Sequence, residues 1–131
     1  MKHLVLLSRV AFALALIFTL AVALTPAHDH PLHLLPWEKG DHCIAFYVLA
    51  ILGALAAPRM PLAALAAALG LFGGLIELLQ ALPAVNRDPR AADVVIDVAA
   101  TLVALLPMTV VRWRTAAAAR PDALVRERPA E

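Results

Sequence analysis

The stretch PLAALAAALGLFGGLIELLQAL, residues 61–82, decides the fold class. It is apolar over enough residues to cross a bilayer, because about 20 residues at 1.5 Å each span a hydrocarbon core of about 30 Å. Two polar residues, Glu77 and Gln80, interrupt it near its end. The pattern predicts a transmembrane helix whose polar residues face other helices or a water-filled cavity, not lipid.

The composition extends this interpretation to the whole chain. Of its 131 residues, 63% are hydrophobic and only 16% are charged, and the mean hydropathy is +0.82. A soluble domain of this size could not bury so much apolar surface. We therefore exclude an ordinary soluble enzyme, a disordered chain and a nucleic-acid-binding protein. The single cysteine, Cys43, excludes an intramolecular disulfide and a zinc site with two thiolates.

Three further segments reach membrane length, at residues 4–24, about 36–57 and about 91–111. The sequence thus predicts an all-α fold, an integral membrane bundle of four transmembrane helices with short loops. We assign residues 1–114 to this domain and residues 115–131 to a polar, flexible cytoplasmic tail.

Two details of these segments qualify the prediction. Pro107 is expected to kink the fourth helix near its end. The first segment also fits a cleaved signal peptide, since Lys2 precedes an apolar run and small residues follow it. Because three more hydrophobic segments come after it, we predict that it is retained as a helix.

The basic residues predict the orientation of the bundle. With four spans, most of the 11 Lys and Arg residues fall on one side. These are Lys2, Arg9, Arg59, Arg112, Arg114, Arg120, Arg126 and Arg128, against Lys39, Arg87 and Arg90 on the other side. The positive-inside rule then predicts a multi-pass membrane protein with both termini in the cytoplasm.

In this topology the remaining charges converge at the outer ends of three helices. Glu38, Lys39, Asp41 and His42 begin the second helix, Glu77 and Gln80 end the third, and Asp93 and Asp97 begin the fourth. Helical periodicity also puts Glu77 on one face, within about 100°, with Ala66, Gly70, Gly73 and Gly74. Gly70 and Gly74 form a small-xxx-small pair, which lets helices approach closely in lipid. The sequence therefore predicts an inward-facing polar cluster.

These residues resemble a known family. The run from Glu38 and Lys39 through His42 to Phe46 resembles the acid-Lys-x-x-His-x-x-x-Phe motif of VanZ-like membrane proteins. The series Glu77-x-x-Gln80, Arg87 and Asp93-x-x-x-Asp97 resembles that family's Glu-x-x-Gln, Arg and Asp-x-x-x-Asn/Asp series. The resemblance covers roughly residues 30–110. It implies a four-helix membrane protein located in a bacterial cytoplasmic membrane.

The chain also departs from the family pattern. Glu38 stands where Asp is usual, Asp97 where Asn is common, and either Arg87 or Arg90 matches the family arginine. Ala100 and Ala104 replace glycines often found after Asp97. The namesake of the family is associated with low-level resistance to the glycopeptide teicoplanin, and most members have no established activity.

The preferred functional hypothesis is binding or modulation of an anionic cell-envelope component, such as a lipid phosphate or a cell-wall precursor pyrophosphate. The candidate ligand-binding residues are Glu38, Lys39, His42, Glu77, Gln80, Arg87, Asp93 and Asp97. Lys39 and Arg87 would contact the anion, one as a point charge and one through a bidentate fork.

Two alternatives remain open. In a membrane enzyme acting on a lipid-linked phosphate, His42 with Glu77 or Asp97 would be the acid–base pair. No catalytic residue is assigned, and the binding hypothesis is preferred to the enzyme. In a structural or assembly protein, the charges would only pin the helices together. Membrane lipids are expected partners and an oligomer is compatible. No cofactor or metal is expected, because the loop histidines His28, His30 and His33 lack fixed ligand spacing.

Overall fold

The computed structural model describes the backbone of residues 2–25, 38–83, 85 and 90–126, and the side chains of residues 3–25, 40–83, 85 and 90–118. Within these ranges the chain is all-helical. The helices are α1 (Lys2–Ala23), α2 (Glu38–Ala56), α3 (Leu62–Gln80) and α4 (Ala91–Arg126).

Three of these helices are long and apolar enough to cross a membrane, at His3–Ala23, Leu62–Gln80 and Ala91–Ala118. The apolar part of α2, Gly40–Ala56, is shorter. The prediction of an all-helical membrane protein is confirmed at this level. A fourth span requires that the polar first turn of α2 be counted as part of the crossing.

The fourth helix is longer than predicted. It comprises 36 residues, continuing through Pro107 and through residues 115–126, which the sequence analysis assigns to a flexible tail. A proline removes one hydrogen bond from a helix but need not end it where neighbouring turns are satisfied. Beyond it, the alanines at 116–119 are the strongest helix formers and favour the extension. A second proline, Pro121, also lies within the helix without ending it.

The second helix is the centre of the bundle. It packs against α1 on one side and α4 on the other, while α3 packs mainly on α4. Within the described ranges α1 does not contact α4. Phe46, Leu49 and Ile76 are fully buried in the core. Large apolar side chains cover much of the outside, for example Leu71 and Val95, and such a surface is suited to lipid.

Two arginines close the end of the bundle where α2 turns into α3. The Arg9 Nε donates to the Ala56 carbonyl at 3.1 Å. The Arg112 guanidinium donates to the carbonyls of Pro58 and Met60, both at 3.0 Å. We call this group of residues the basic end. Cationic donors satisfy carbonyls that have no partner at a helix C-terminus and interact favourably with its dipole.

The helices run antiparallel, so the arrangement at the basic end determines which helix termini lie at the opposite end of the bundle. There the C-termini of α1 and α3 meet, as the hydrogen bond from Gln80 Nε2 to the Ala23 carbonyl at 2.9 Å shows. The N-termini of α2 and α4 lie at the same end, where His42 contacts Asp97 and the Arg90 N–H donates to Glu77. We call this second end, with His42, Glu77, Asp93 and Asp97, the polar end.

The glycines of α3 pack differently from the predicted Gly70–Gly74 pair. A Cβ at Gly70 would lie 3.2 Å from Val98, so Gly70 does face α4. A Cβ at Gly74 would meet nothing within 4 Å among the described residues. Gly73 makes the closer approach instead, since its Cβ would lie 2.8 Å from Asp97 Oδ2 and 3.3 Å from Phe46. The prediction for Gly74 is therefore wrong, because the face of α3 turned to α2 and α4 is centred one residue earlier.

Candidate functional site

The polar end brings together residues from three helices that are far apart in the sequence. His42 Nδ1 lies 3.2 Å from Asp97 Oδ1, which joins the first turn of α2 to the second turn of α4. Asp97 is fully buried, whereas about a fifth of the His42 side chain, 18%, is exposed. At 1.5 Å per residue, Asp97 lies about 9 Å along α4 from its start. The pair is therefore near the mouth of the bundle and not at its centre.

The absence of a side chain at Gly73 makes room for this pair. Asp97 Oδ2 lies only 2.8 Å from the position that a Cβ at Gly73 would take, and the Phe46 ring of α2 lies 3.3 Å from the same position. Phe46 is itself fully buried and packs against Phe72 with ring centroids 6.0 Å apart. A carboxylate is thus enclosed between an apolar ring and a helix backbone, where an uncompensated charge is costly.

Glu77 links the end of α3 to the start of α4. Its Oε2 accepts the backbone N–H of Arg90 at 2.6 Å, immediately before the first residue of α4. The N–H groups of a first helical turn have no partner within the helix, so a carboxylate there is favourable both as an acceptor and as a negative charge. This role of Arg90 involves its backbone, and its side chain is exposed.

Several buried oxygens at the polar end have no hydrogen-bond partner within the part of the chain that the structure describes. They are Glu77 Oε1, Asp93 Oδ1, Asp97 Oδ2 and Thr101 Oγ1. Buried polar atoms in folded proteins are nearly always satisfied, so each of these marks a place where a proton, water, ion or ligand is needed.

Thr101 is the polar residue that sequence reasoning missed. It is fully buried one helical turn deeper than Asp97. Its spacing of four residues from Asp97 puts both side chains on one face of α4, and that spacing was the available signal. Hydroxyls are common in membrane helices and bond to their own backbone, so a lone threonine does not by itself indicate a site.

Gln80 has a different role from the other predicted residues. It is buried, and its side-chain amide donates to the Ala23 carbonyl at the end of α1. It thus ties α1 to α3 and has no described contact with His42 or Asp97. Cys43, next to His42 in sequence, is exposed on the outside of the bundle.

The other predicted residues are not fully described. Glu38 and Lys39 lie in the first turn of α2, but their side chains are outside the described set. Arg87 and the loop histidines His28, His30 and His33 lie outside the described residues altogether. The described part of the polar end therefore contains the His42 imidazole, an exposed arginine, Arg90, and four carboxylates, so acidic groups outnumber basic ones. The carboxylates are those of Asp41, Glu77, Asp93 and Asp97.

Comparison of the chain with protein-family models, with curated proteins and with solved structures finds no match. The resemblance to VanZ-like proteins rests on the sequence motifs alone.

The arrangement supports two kinds of chemistry. An imidazole held against a carboxylate can move a proton to or from a neighbouring group. A set of inward-turned carboxylate oxygens with one imidazole can also attract a cation. Both depend on the same convergence of α2, α3 and α4.

Proposed function

We propose that this chain is a VanZ-like protein with four transmembrane spans, located in a bacterial cytoplasmic membrane with both termini in the cytoplasm. Its polar end would bind or modulate an anionic cell-envelope component at the outer leaflet. The observation that carries the proposal is the convergence of His42, Glu77 and Asp97 from three helices, with Asp97 fully buried.

The length of α2 supports the fourth span. Its 19 residues rise about 28 Å in a helix, close to the thickness of a hydrocarbon core, provided that the turn containing Glu38 and Asp41 lies at the headgroups. The helix dipole favours acidic residues at that N-terminus.

The orientation can be tested with single cysteines. In a Cys43→Ala background, Val85→Cys lies at the polar end and Pro58→Cys at the basic end. We expect a membrane-impermeant maleimide to label only Val85→Cys in intact cells and both variants in opened cells. Labelling of Pro58→Cys alone in intact cells would reverse the orientation and contradict the proposed outer site.

We infer an anionic ligand from the basic residues that lie near the polar end. Lys39, Arg87 and Arg90 all lie near this end in sequence, and lysine and arginine are the usual partners of phosphate oxygens. Because the buried charged side chains at the polar end, Glu77 and Asp97, are acidic, they would repel an anion by themselves. The anion would have to be held by these lysine and arginine residues, or through a cation bound to the carboxylates.

The functional test is a susceptibility measurement in a bacterial strain that lacks a homologue of this chain. Expression of the chain is expected to raise the teicoplanin concentration needed to stop growth, and Lys39→Ala, Arg87→Ala and Asp93→Asn are expected to abolish the increase. Arg114→Ala, at the other end of α4, is the matched control and should retain it. Membrane abundance is measured for each variant by immunoblot.

Two outcomes count against the proposal. An unchanged susceptibility on expression would reject the link to glycopeptides. Full effect in all three polar-end variants at normal abundance would reject the site. If Lys39→Arg keeps full effect while the alanine variant is lost from the membrane, the residues have a structural role and the assembly alternative is favoured.

A second candidate function is supported by the contact of 3.2 Å between His42 and Asp97. A carboxylate that orients an imidazole is a common feature of general acid–base sites, and the exposed part of His42 can meet a substrate. A membrane enzyme would release phosphate from a polyprenyl pyrophosphate added to the purified chain, and His42→Gln would stop the release. Binding of that lipid without turnover would favour the first function.

A further inference from the structure

One atom from each of three side chains at the polar end lies in a single small volume. A ring nitrogen of His42, a carboxylate oxygen of Glu77 and a carboxylate oxygen of Asp93 all lie within 4.8 Å of one another. They come from α2, α3 and α4, so the bundle itself brings them together. Donors around a metal ion at about 2.1 Å in tetrahedral geometry are about 3.4 Å apart. Side-chain movements of roughly an ångström or less would bring the three donor atoms to the separations found around a metal ion.

Two of these three residues have a buried carboxylate oxygen without a hydrogen-bond partner among the described residues. Glu77 is 8% exposed, and its Oε1 is buried without a partner among the described residues. Asp93 Oδ1 is likewise buried without a hydrogen-bond partner among the described residues. Three carboxylates enclosed with one imidazole repel one another and are poorly solvated. A bound cation would satisfy both oxygens and remove the repulsion.

Asp97 prepares His42 for this role. Its Oδ1 faces His42 Nδ1 at 3.2 Å, and an ionised carboxylate there fixes the ring proton on Nδ1. The lone pair is then on Nε2, the nitrogen left for a metal. Metal-binding histidines usually have such a carboxylate partner, which sets the orientation and basicity of the ring.

We propose that His42, Glu77 and Asp93 bind a divalent transition-metal cation, Zn²⁺ or Mn²⁺, with Asp97 as the positioning residue. An imidazole suits zinc and related ions, and carboxylates suit manganese, whereas a purely oxygen set would favour calcium or magnesium. Three protein ligands leave at least one open coordination position. This site departs from the expectation that the chain binds no metal, and it does not depend on the proposed anionic ligand.

A cation at this place would also change the sign of the local field. The charge of a bound ion dominates its surroundings, so an acidic cluster becomes able to attract phosphate oxygens through the open coordination position. This connection to an anionic headgroup rests on the proposed function, whereas the metal site itself does not.

The test uses the full-length chain purified in detergent and stripped of metal with a chelator. Zn²⁺ and Mn²⁺ are titrated separately against a chromophoric chelator, with Mg²⁺ and Ca²⁺ for comparison. We expect one equivalent of Zn²⁺ or Mn²⁺ to bind, with Mg²⁺ and Ca²⁺ binding more weakly. Asp97→Asn should lose about 10–100-fold in affinity, and His42→Gln, Glu77→Gln and Asp93→Asn should each lose more.

The matched control is Asp122→Asn, which removes a carboxylate from α4 roughly 40 Å along the helix from Asp93. It should bind as the unchanged chain does. Circular dichroism and the unfolding midpoint are measured for every variant. Should the ligand variants fail to fold, Co²⁺ added to the unchanged chain gives a second measurement, because nitrogen and oxygen ligation at a low-coordinate site produces intense visible absorption.

Three results would overturn the site. One is the absence of saturable binding of one equivalent by the unchanged chain. Another is equal affinity in folded His42→Gln. The third is an equal loss in Asp122→Asn, which would show non-specific binding to carboxylates. None of these results depends on antibiotic susceptibility, so the metal site and the proposed function can fail separately.

Discussion

Substitution of Gly73 by alanine is expected to destabilise the bundle through a single identifiable contact. The new Cβ would lie 2.8 Å from Asp97 Oδ2, where ordinary contacts begin at 3.4 Å, so about 0.6 Å of movement is required. Asp97 cannot withdraw freely, because it is fully buried and lies 3.2 Å from His42. Phe46, 3.3 Å from the same Cβ, is also fully buried.

The size of the effect follows from a matched variant in the same helix. Alanine gains up to about 1 kcal/mol over glycine in helix propensity, and this gain is common to Gly73→Ala and Gly74→Ala. A Cβ at Gly74 meets nothing within 4 Å in the described structure. The difference between the two variants therefore isolates the overpacking cost, about 1–3 kcal/mol, with Gly73→Ala the less stable.

The assay is reversible unfolding in mixed micelles of increasing SDS content, followed by circular dichroism. Gly74→Ala should unfold at the same SDS fraction as the unchanged chain or at a higher one, and Gly73→Ala at a lower one. Equal stability of the two variants within about 0.5 kcal/mol would refute the close approach of α3 to Asp97.

Further predictions concern the two ends of the bundle and use the same unfolding assay. Arg112→Met removes the two hydrogen bonds to the turn between α2 and α3 and should cost about 1–3 kcal/mol, whereas exposed Arg114→Met should change stability by less than about 0.5 kcal/mol. Gln80→Leu removes the hydrogen bond between α3 and the end of α1 and should cost about 0.6–1.7 kcal/mol. Thr101→Val replaces a buried hydroxyl that has no described partner by a methyl group of similar size, so it should leave stability unchanged or raise it.

Much of the fold was accessible from the sequence, because a bilayer imposes one length and one composition on every span. The apolar segments therefore gave the helices to within a few residues at most ends. The end of α4 was missed because neither Pro107 nor the polar residues after Arg114 are sufficient to stop a helix rich in alanine.

The candidate site could be anticipated in part. Residues at helix ends that face inward must converge if adjacent helices are antiparallel, and this brought His42 and Asp97 to the same end. The side-chain partners were not predictable, since they depend on which glycine allows the closest approach. Periodicity alone does not distinguish Gly73 from Gly74, which are 100° apart on the helix. It also gave no means to anticipate that Glu77 would accept a backbone N–H from the start of α4.

The central claim is that α2, α3 and α4 build one polar site, and the coupling between His42 and Asp97 tests it most directly. A double-mutant cycle of His42→Ala and Asp97→Ala, measured by unfolding in bicelles, reports the interaction free energy of the pair. We expect a favourable coupling of about 0.6–1.7 kcal/mol, the range found for polar contacts between membrane helices. Additive effects within about 0.3 kcal/mol would contradict the contact and, with it, the single site.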